Sequence, residues 1–123
     1  MQLQASRDTQ IELAIRSELH RRGLRFRVHM RPIESLRREA DIVFTGRRVA
    51  VFVDGCFWHG CPLHGTKPKS NAAFWEEKIE TNRRRDEDTD RQLIAAGWVP
   101  LRCWEHEAVA DAVRRIEDAV RQR

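Results

Sequence analysis

Residues 54–64 read Asp-Gly-Cys-Phe-Trp-His-Gly-Cys-Pro-Leu-His and bring thiols, imidazoles and a carboxylate into one short stretch. Cys56, Cys61 and His64 supply sulfur and imidazole donors of the kind that tetrahedral zinc takes, and one further ligand must come from elsewhere. His59, Cys103 and His106 are the candidates. The preferred zinc set is Cys56, Cys61, His64 and His106, because Cys103 alternates with Val99 and Leu101 on an apolar strand face whereas His106 follows the strand's end. Reduced loop cysteines beside incidental histidines are the plainer alternative. With those four on zinc, His59 is left to accept a proton from water near neutral pH. Phosphodiester hydrolysis also calls for a hard cation, and Asp41, at the start of a strand, is suited to hold magnesium together with a main-chain carbonyl of the facing strand. Capping the hairpin is the plainer role for Asp41.

These residues need elements to position them. Asp8 or Thr9 can cap a helix with apolar Ile11, Leu13, Ala14, Ile15 and Leu19, ending near Gly23. Glu12 follows Thr9 by three positions, the spacing of a capping box. Phe26, Val28 and Met30 alternate with Arg25, Arg27 and His29 as a half-buried strand, which leaves His29, like His20, as a surface position. Two strands, 41–44 and 49–53, join across Thr45-Gly46-Arg47 as a hairpin, with Asp41 opposite Phe52 or Val53. Residues 49–53 are apolar throughout, as in a strand covered on both faces at the centre of a sheet. Ser70 or Asn71 caps a long helix that reaches about Ala96 and stops at Gly97. Its charged middle, Asn82 to Asp90, reads as a solvated face. A strand over 98–104 and an amphipathic helix over 108–120 close the chain. The order implies a mixed sheet with helices packed on it.

The chain has 123 residues, 34% charged and 41% hydrophobic, the size and composition of one domain. No apolar run approaches the roughly 20 residues of a membrane span, and residues 1–10 contain no export signal, so the expected setting is the cytoplasm. The three cysteines are then reduced thiols or metal ligands rather than a disulfide framework. The net charge is +4, and the excess lies in the first third, where residues 1–40 hold nine arginines against five acids. Arginine's planar fork matches phosphate oxygens and guanine edges, which makes this region a candidate face for a polyanion; a solvated basic surface is the alternative.

Five pieces of the sequence together resemble the very short patch repair (Vsr) DNA mismatch endonucleases of the PD-(D/E)xK nuclease superfamily. They are Ala40-Asp-Ile-Val-Phe44, Val51-Phe-Val-Asp-Gly-Cys-Phe-Trp-His59, Phe74-Trp-Glu-Glu-Lys-Ile79, Asn82 with Arg85 and Asp86, and Gly97-Trp98 with Trp104-Glu105. The resemblance runs from about Arg7 to Glu107. It implies a single restriction-endonuclease-like α/β domain over 1–123, with a central mixed sheet flanked by helices, a short N-terminal arm (1–7) and a zinc and active-site loop (54–70). The implied activity is magnesium-dependent nicking of one strand of double-stranded DNA, 5′ of the thymine of a T:G mismatch left by deamination of 5-methylcytosine. Asp41 falls on the family's metal-binding aspartate, Val53 on the residue whose carbonyl shares that metal, His59 on the general base, and Glu12 on a helix glutamate near the active site. Phe57 and Trp58 fall on aromatics that wedge into the base stack. Cys56 and His106 fall on structural zinc positions. Cys61 stands where family members carry histidine, and Val53 where they carry threonine. The resemblance further implies a monomer acting at the nucleoid, a functional link to a cytosine-5 methyltransferase, and help from MutL-like repair proteins. A related restriction-type nuclease with another target, or a non-catalytic zinc-stabilised DNA-binding module, are the alternative readings.

Overall fold

The computed structural model of the protein describes residues 9–54 and 72–122. In chain order the elements are α1 (Gln10–Arg21), β1 (Arg27–Met30), β2 (Ala40–Phe44), β3 (Val49–Asp54), α2 (Ala72–Ala95), β4 (Val99–Trp104) and α3 (Val109–Arg121). The strands lie side by side in the order β1-β2-β3-β4. The first three pair antiparallel and β4 joins β3 in parallel, a geometry that requires a crossover between them, along which α2 lies. The fold is therefore α/β with a mixed sheet, as expected, and β3 is an interior strand.

Both faces of the sheet are covered. On one, Ile42, Phe44, Val49 and Val51 pack with Ile15 and Leu19 of α1 and with Val113 and Ile116 of α3. On the other, Val43, Ala50 and Phe52 pack with Leu36, Leu93 and Trp98. This double burial is the reason that residues 49–53 are apolar at every position. Ile15 and Leu19 are one helical turn apart, which puts both on the buried face of α1. An Arg22–Glu117 ion pair at 2.7 Å ties the two helices together at their margin. Cys103 is buried in the first of these cores, and burial pushes its thiol up to about 11, so it acts as a small packing residue.

The helix ends follow local rules. Thr9 Oγ1 accepts the Glu12 N–H at 3.4 Å, the N-cap half of the expected capping box. At the end of α2, Gly97 has φ +85°; its N–H donates to Ile94 O, and the Trp98 N–H donates to Leu93 O at 2.9 Å. These bonds close the last helical carbonyls and turn the chain into β4. A Cβ added at Gly97 would meet the Arg48 guanidinium at an ordinary 3.4 Å, so the backbone, not crowding, sets the cost of a side chain. Gly97→Ala should cost about 1–2 kcal/mol, the usual penalty of a left-handed L-residue. A thermal melt should show this as a fall of several degrees; an unchanged midpoint would contradict it.

The charged middle of α2 is solvated as expected on one side, where Arg83, Arg84, Arg85 and Glu87 are exposed, but not on the other. Asp86, Thr89, Asp90 and Leu93 are spaced to share one side of a helix, and Leu93 is buried in the core. That side therefore faces the sheet. Thr89 is buried, and Asp86 and Asp90 both pair with Arg102 of β4.

Candidate active site

The pairing of Ile42 with Val51 puts Asp41 opposite Phe52. Its Oδ2 accepts the Val53 N–H at 2.6 Å, so a side chain takes the place of a ladder carbonyl at this end of the sheet. In an antiparallel ladder the N–H and C=O of a residue face the same neighbour, so the Val53 carbonyl is on the β2 side as well. On the other flank of β2, Val28 pairs with Ile42 and Met30 with Ala40, which leaves His29 beside Asp41. Glu12 reaches the same place from the first turn of α1. Ligand atoms of Glu12, His29 and Asp41 all lie within 4.8 Å of one another.

Electrostatics sharpen this grouping. Glu12 is only 4% exposed, and its carboxylate is 3.2 Å from Arg16 and 3.9 Å from His29 Nε2. Arg16 also lies 3.4 Å from His29 Nε2. The Asp41 carboxyl is pushed up to about 6, first by burial and then by the Glu12 charge, against the downward pull of the Val53 N–H and of His29. Two crowded, mostly buried carboxylates beside an imidazole form a donor set that a divalent cation such as magnesium or manganese fits, since it would offset the burial and the Glu12 repulsion that raise the Asp41 pKa.

His29 is the residue that sequence reasoning misread. It was expected at the surface with Arg25 and Arg27, but its side chain is 14% exposed and turned toward Glu12 and Asp41. Its backbone is left-handed, with φ +49°, an uncommon conformation for a non-glycine residue and one that clusters at functional sites. The hydrophobic alternation of β1 carries no sign of this. Pairing β1 with β2 would have shown it, because counting outward from Val28 opposite Ile42 brings His29 to Asp41.

Next to Asp41 a cavity of about 640 Å³ is lined by Arg37, Arg38, Asp54, Arg85 and Arg102 among others. Guanidinium groups lining a cavity beside Asp41 suit a phosphodiester. Arg38 is anchored by donating to the Arg85 carbonyl and the Thr89 hydroxyl, which fixes the 31–39 segment against α2. Asp54, the last residue of β3, is 6% exposed and paired with Arg102, so its carboxylate is a buried anion held by β4. His106 is exposed, with its ring stacked on that of Trp104 at 6.4 Å. Because Trp104 is the register partner of Asp54, His106 stands at the sheet end where the chain leaves β3. Cys56, Phe57, Trp58, His59, Cys61 and His64 lie outside the described residues. No helix among the described residues is long and apolar enough to cross a membrane.

Comparison with known proteins gives this geometry its setting. Residues 1–64 match the family model described as DNA mismatch endonuclease Vsr. The chain is 43% identical over 122 residues to the type II nicking enzyme V.NaeI of Lentzea aerocolonigenes, covering 98% of this chain and 74% of that protein. It is 44% identical over 109 residues to the type II nicking enzyme V.XorIIP of Xanthomonas oryzae pv. oryzae, covering 87% and 77%. To the DNA mismatch endonuclease Vsr of Escherichia coli strain K12 it is 39% identical over 102 residues, covering 82% and 64%. With a carboxylate-bearing sheet end in an α/β fold, these likenesses make the protein a DNA endonuclease. It belongs to the Vsr family.

Proposed function

We propose that the protein is a magnesium-dependent enzyme that nicks one DNA strand 5′ of the thymine in T:G mismatches left by deamination of 5-methylcytosine. The observation that carries this reading is the Glu12–His29–Asp41 group beside an arginine-lined cavity, in a chain of the Vsr family. Asp41, Glu12 and the Val53 carbonyl would hold magnesium, which supplies charge to polarise the scissile phosphate and to stabilise the leaving 3′ oxygen. His59, five residues beyond Asp54, takes the proton of the attacking water, and at most about 18 Å of extended chain separates the two. Phe57 and Trp58 wedge beside the mismatch, where opening a base step costs least. Zinc on Cys56, Cys61, His64 and His106 would shape the loop that carries them; the place of His106 at the exit of β3 supports that set. A cytosine-5 methyltransferase would be the functional companion, and MutL-like proteins would assist.

The relatives named type II nicking enzymes favour a second reading, nicking directed by a restriction-type site and not by a mismatch. A plasmid heteroduplex with one T:G pair separates the two. Conversion to nicked circle with magnesium, and none for the matched plasmid, supports the mismatch reading; equal nicking of both favours the second.

A pH dependence follows from Asp41. The cation requires its ionised form, and that form dominates only above about pH 6. Isothermal titration with magnesium should therefore show apparent affinity falling about tenfold per pH unit below that point and level above it. Affinity that is flat down to pH 5 would remove Asp41 from the ligand set.

A further inference from the structure

Four arginines line the cavity beside Asp41, and their guanidinium groups are not equally free to meet a ligand. Arg102 is fully engaged: it donates to Asp54 at 3.2 Å and to Asp90 at 2.8 Å, lies 3.4 Å from an oxygen of Asp86, and covers the Phe52 ring at 4.2 Å. Arg38 is engaged as well, donating to the Arg85 carbonyl at 3.2 Å and to the Thr89 hydroxyl, with Asp88 3.7 Å away. Arg37 and Arg85 differ. Both are exposed, and neither guanidinium makes a hydrogen bond or an ion pair among the described residues.

The Arg38 bond also explains why these two stand at one cavity. Its acceptor is the carbonyl of Arg85 itself, so the chain next to Arg37 is tied to the turn of α2 that carries Arg85. Arg85 stands one helical turn before the buried Thr89, which puts it on the cavity side of α2. Of the acids in the same wall, Asp54 and Asp86 are paired with Arg102, and Glu39 is exposed. Like charges held near one another repel, a cost that an anion between them removes.

We propose that Arg37 and Arg85 hold the DNA backbone at this cavity, each on a phosphate that flanks the one being cut. This rests on the reading above in which the cut is made at Asp41. A guanidinium fork meets phosphate oxygens in pairs, and about 640 Å³ is the volume of a drug-sized ligand, larger than a single phosphate group. Such contacts fix the register of the strand and carry no base information, so they serve matched and mismatched DNA alike.

Fluorescence anisotropy of a labelled duplex, titrated with the full-length protein over a range of salt and with no magnesium added, tests this apart from cutting. Each phosphate contact adds about 0.9 to the slope of log affinity against log salt. Arg37→Gln and Arg85→Gln should each lower the slope by about one and the double variant by about two, equally on T:G and matched duplexes. Arg37→Lys and Arg85→Lys, which keep the charge, should stay close to the wild-type slope. Arg114→Gln, on the helix that covers the other face of the sheet, should leave it unchanged. A single methylphosphonate, which removes the charge of one phosphate, gives a second measurement. At a contacted phosphate beside the cut it should lower the wild-type slope by about one and leave that of the matching glutamine variant where it was. The proposal is overturned if either glutamine variant keeps the wild-type slope, if Arg114→Gln lowers it as much, or if no methylphosphonate beside the cut changes wild-type binding. Wild type with no salt-dependent binding would instead sink the DNA reading on which the proposal rests, before any variant is compared.

Discussion

Replacing Asp41 by asparagine should abolish nicking and, at pH 8 without metal, make the protein more stable. The loss arises because the amide keeps the shape of the carboxylate but not the charge that the cation needs. Charge stabilisation by a bound metal is worth several kcal/mol in the transition state, so the rate should fall by about 10³-fold or more. The gain in stability has the same source. The native pKa of Asp41 is raised from 3.8 to about 6, mainly by burial. A raised carboxyl pKa means that the fold prefers the neutral form, so the contribution is favourable below the unfolded value and is lost as pH rises through about 6. A rise of about two pKa units corresponds to roughly 2–3 kcal/mol, which asparagine avoids because it cannot ionise. The Val53 N–H can still donate to the amide oxygen. Melting at pH 8 in chelator should therefore place Asp41→Asn above wild type, and melting near pH 4 should bring the two together. Near-normal turnover would remove Asp41 from the mechanism; a lower melting point at pH 8 would mean that its carboxylate is an ordinary structural ion.

His59→Ala should cost about 10²- to 10⁴-fold in the rate of nicking, the usual contribution of a positioned general base. A residue whose task is proton transfer should leave the melting temperature close to wild type. The loss should appear in kcat more than in KM, since the proton is taken from water and not from a group that binds DNA. Cleavage by the variant should rise with pH over the range where the wild-type rate has levelled, as hydroxide substitutes for the missing base. If the rate is unchanged, another group accepts the proton, and His29 beside Asp41 would be the next residue to test.

Much of the scaffold can be read in the sequence. The apolar run over 49–53 marks an interior strand because both sheet faces must be covered, and Gly97 marks the end of α2 because only glycine takes φ +85° without strain. Asp41 is legible as a hairpin-edge acid whose partner is fixed to within one residue by counting from the turn. What stays hidden depends on pairings between distant segments. His29 reads as an outward residue of β1 until β1 is placed beside β2. Arg102 alternates with core positions in β4 and reads as the solvent side of that strand, but α2 covers it and supplies two of its three acids. Residues 82–90 read as solvated for the same reason: charged side chains that meet a buried counter-charge carry the same letters as those that meet water.

Mapping of cut ends on labelled duplexes tests the central claim most directly. A set of duplexes identical except at one base pair, carrying T:G, T:A, C:G and the other mismatches in several flanking contexts, is incubated with magnesium and resolved to the nucleotide. The expected result is a single cut on the thymine strand, immediately 5′ of the thymine of T:G, with the complementary strand intact and matched duplexes uncut. Cuts at the same place in matched and T:G duplexes, or on both strands, would contradict it.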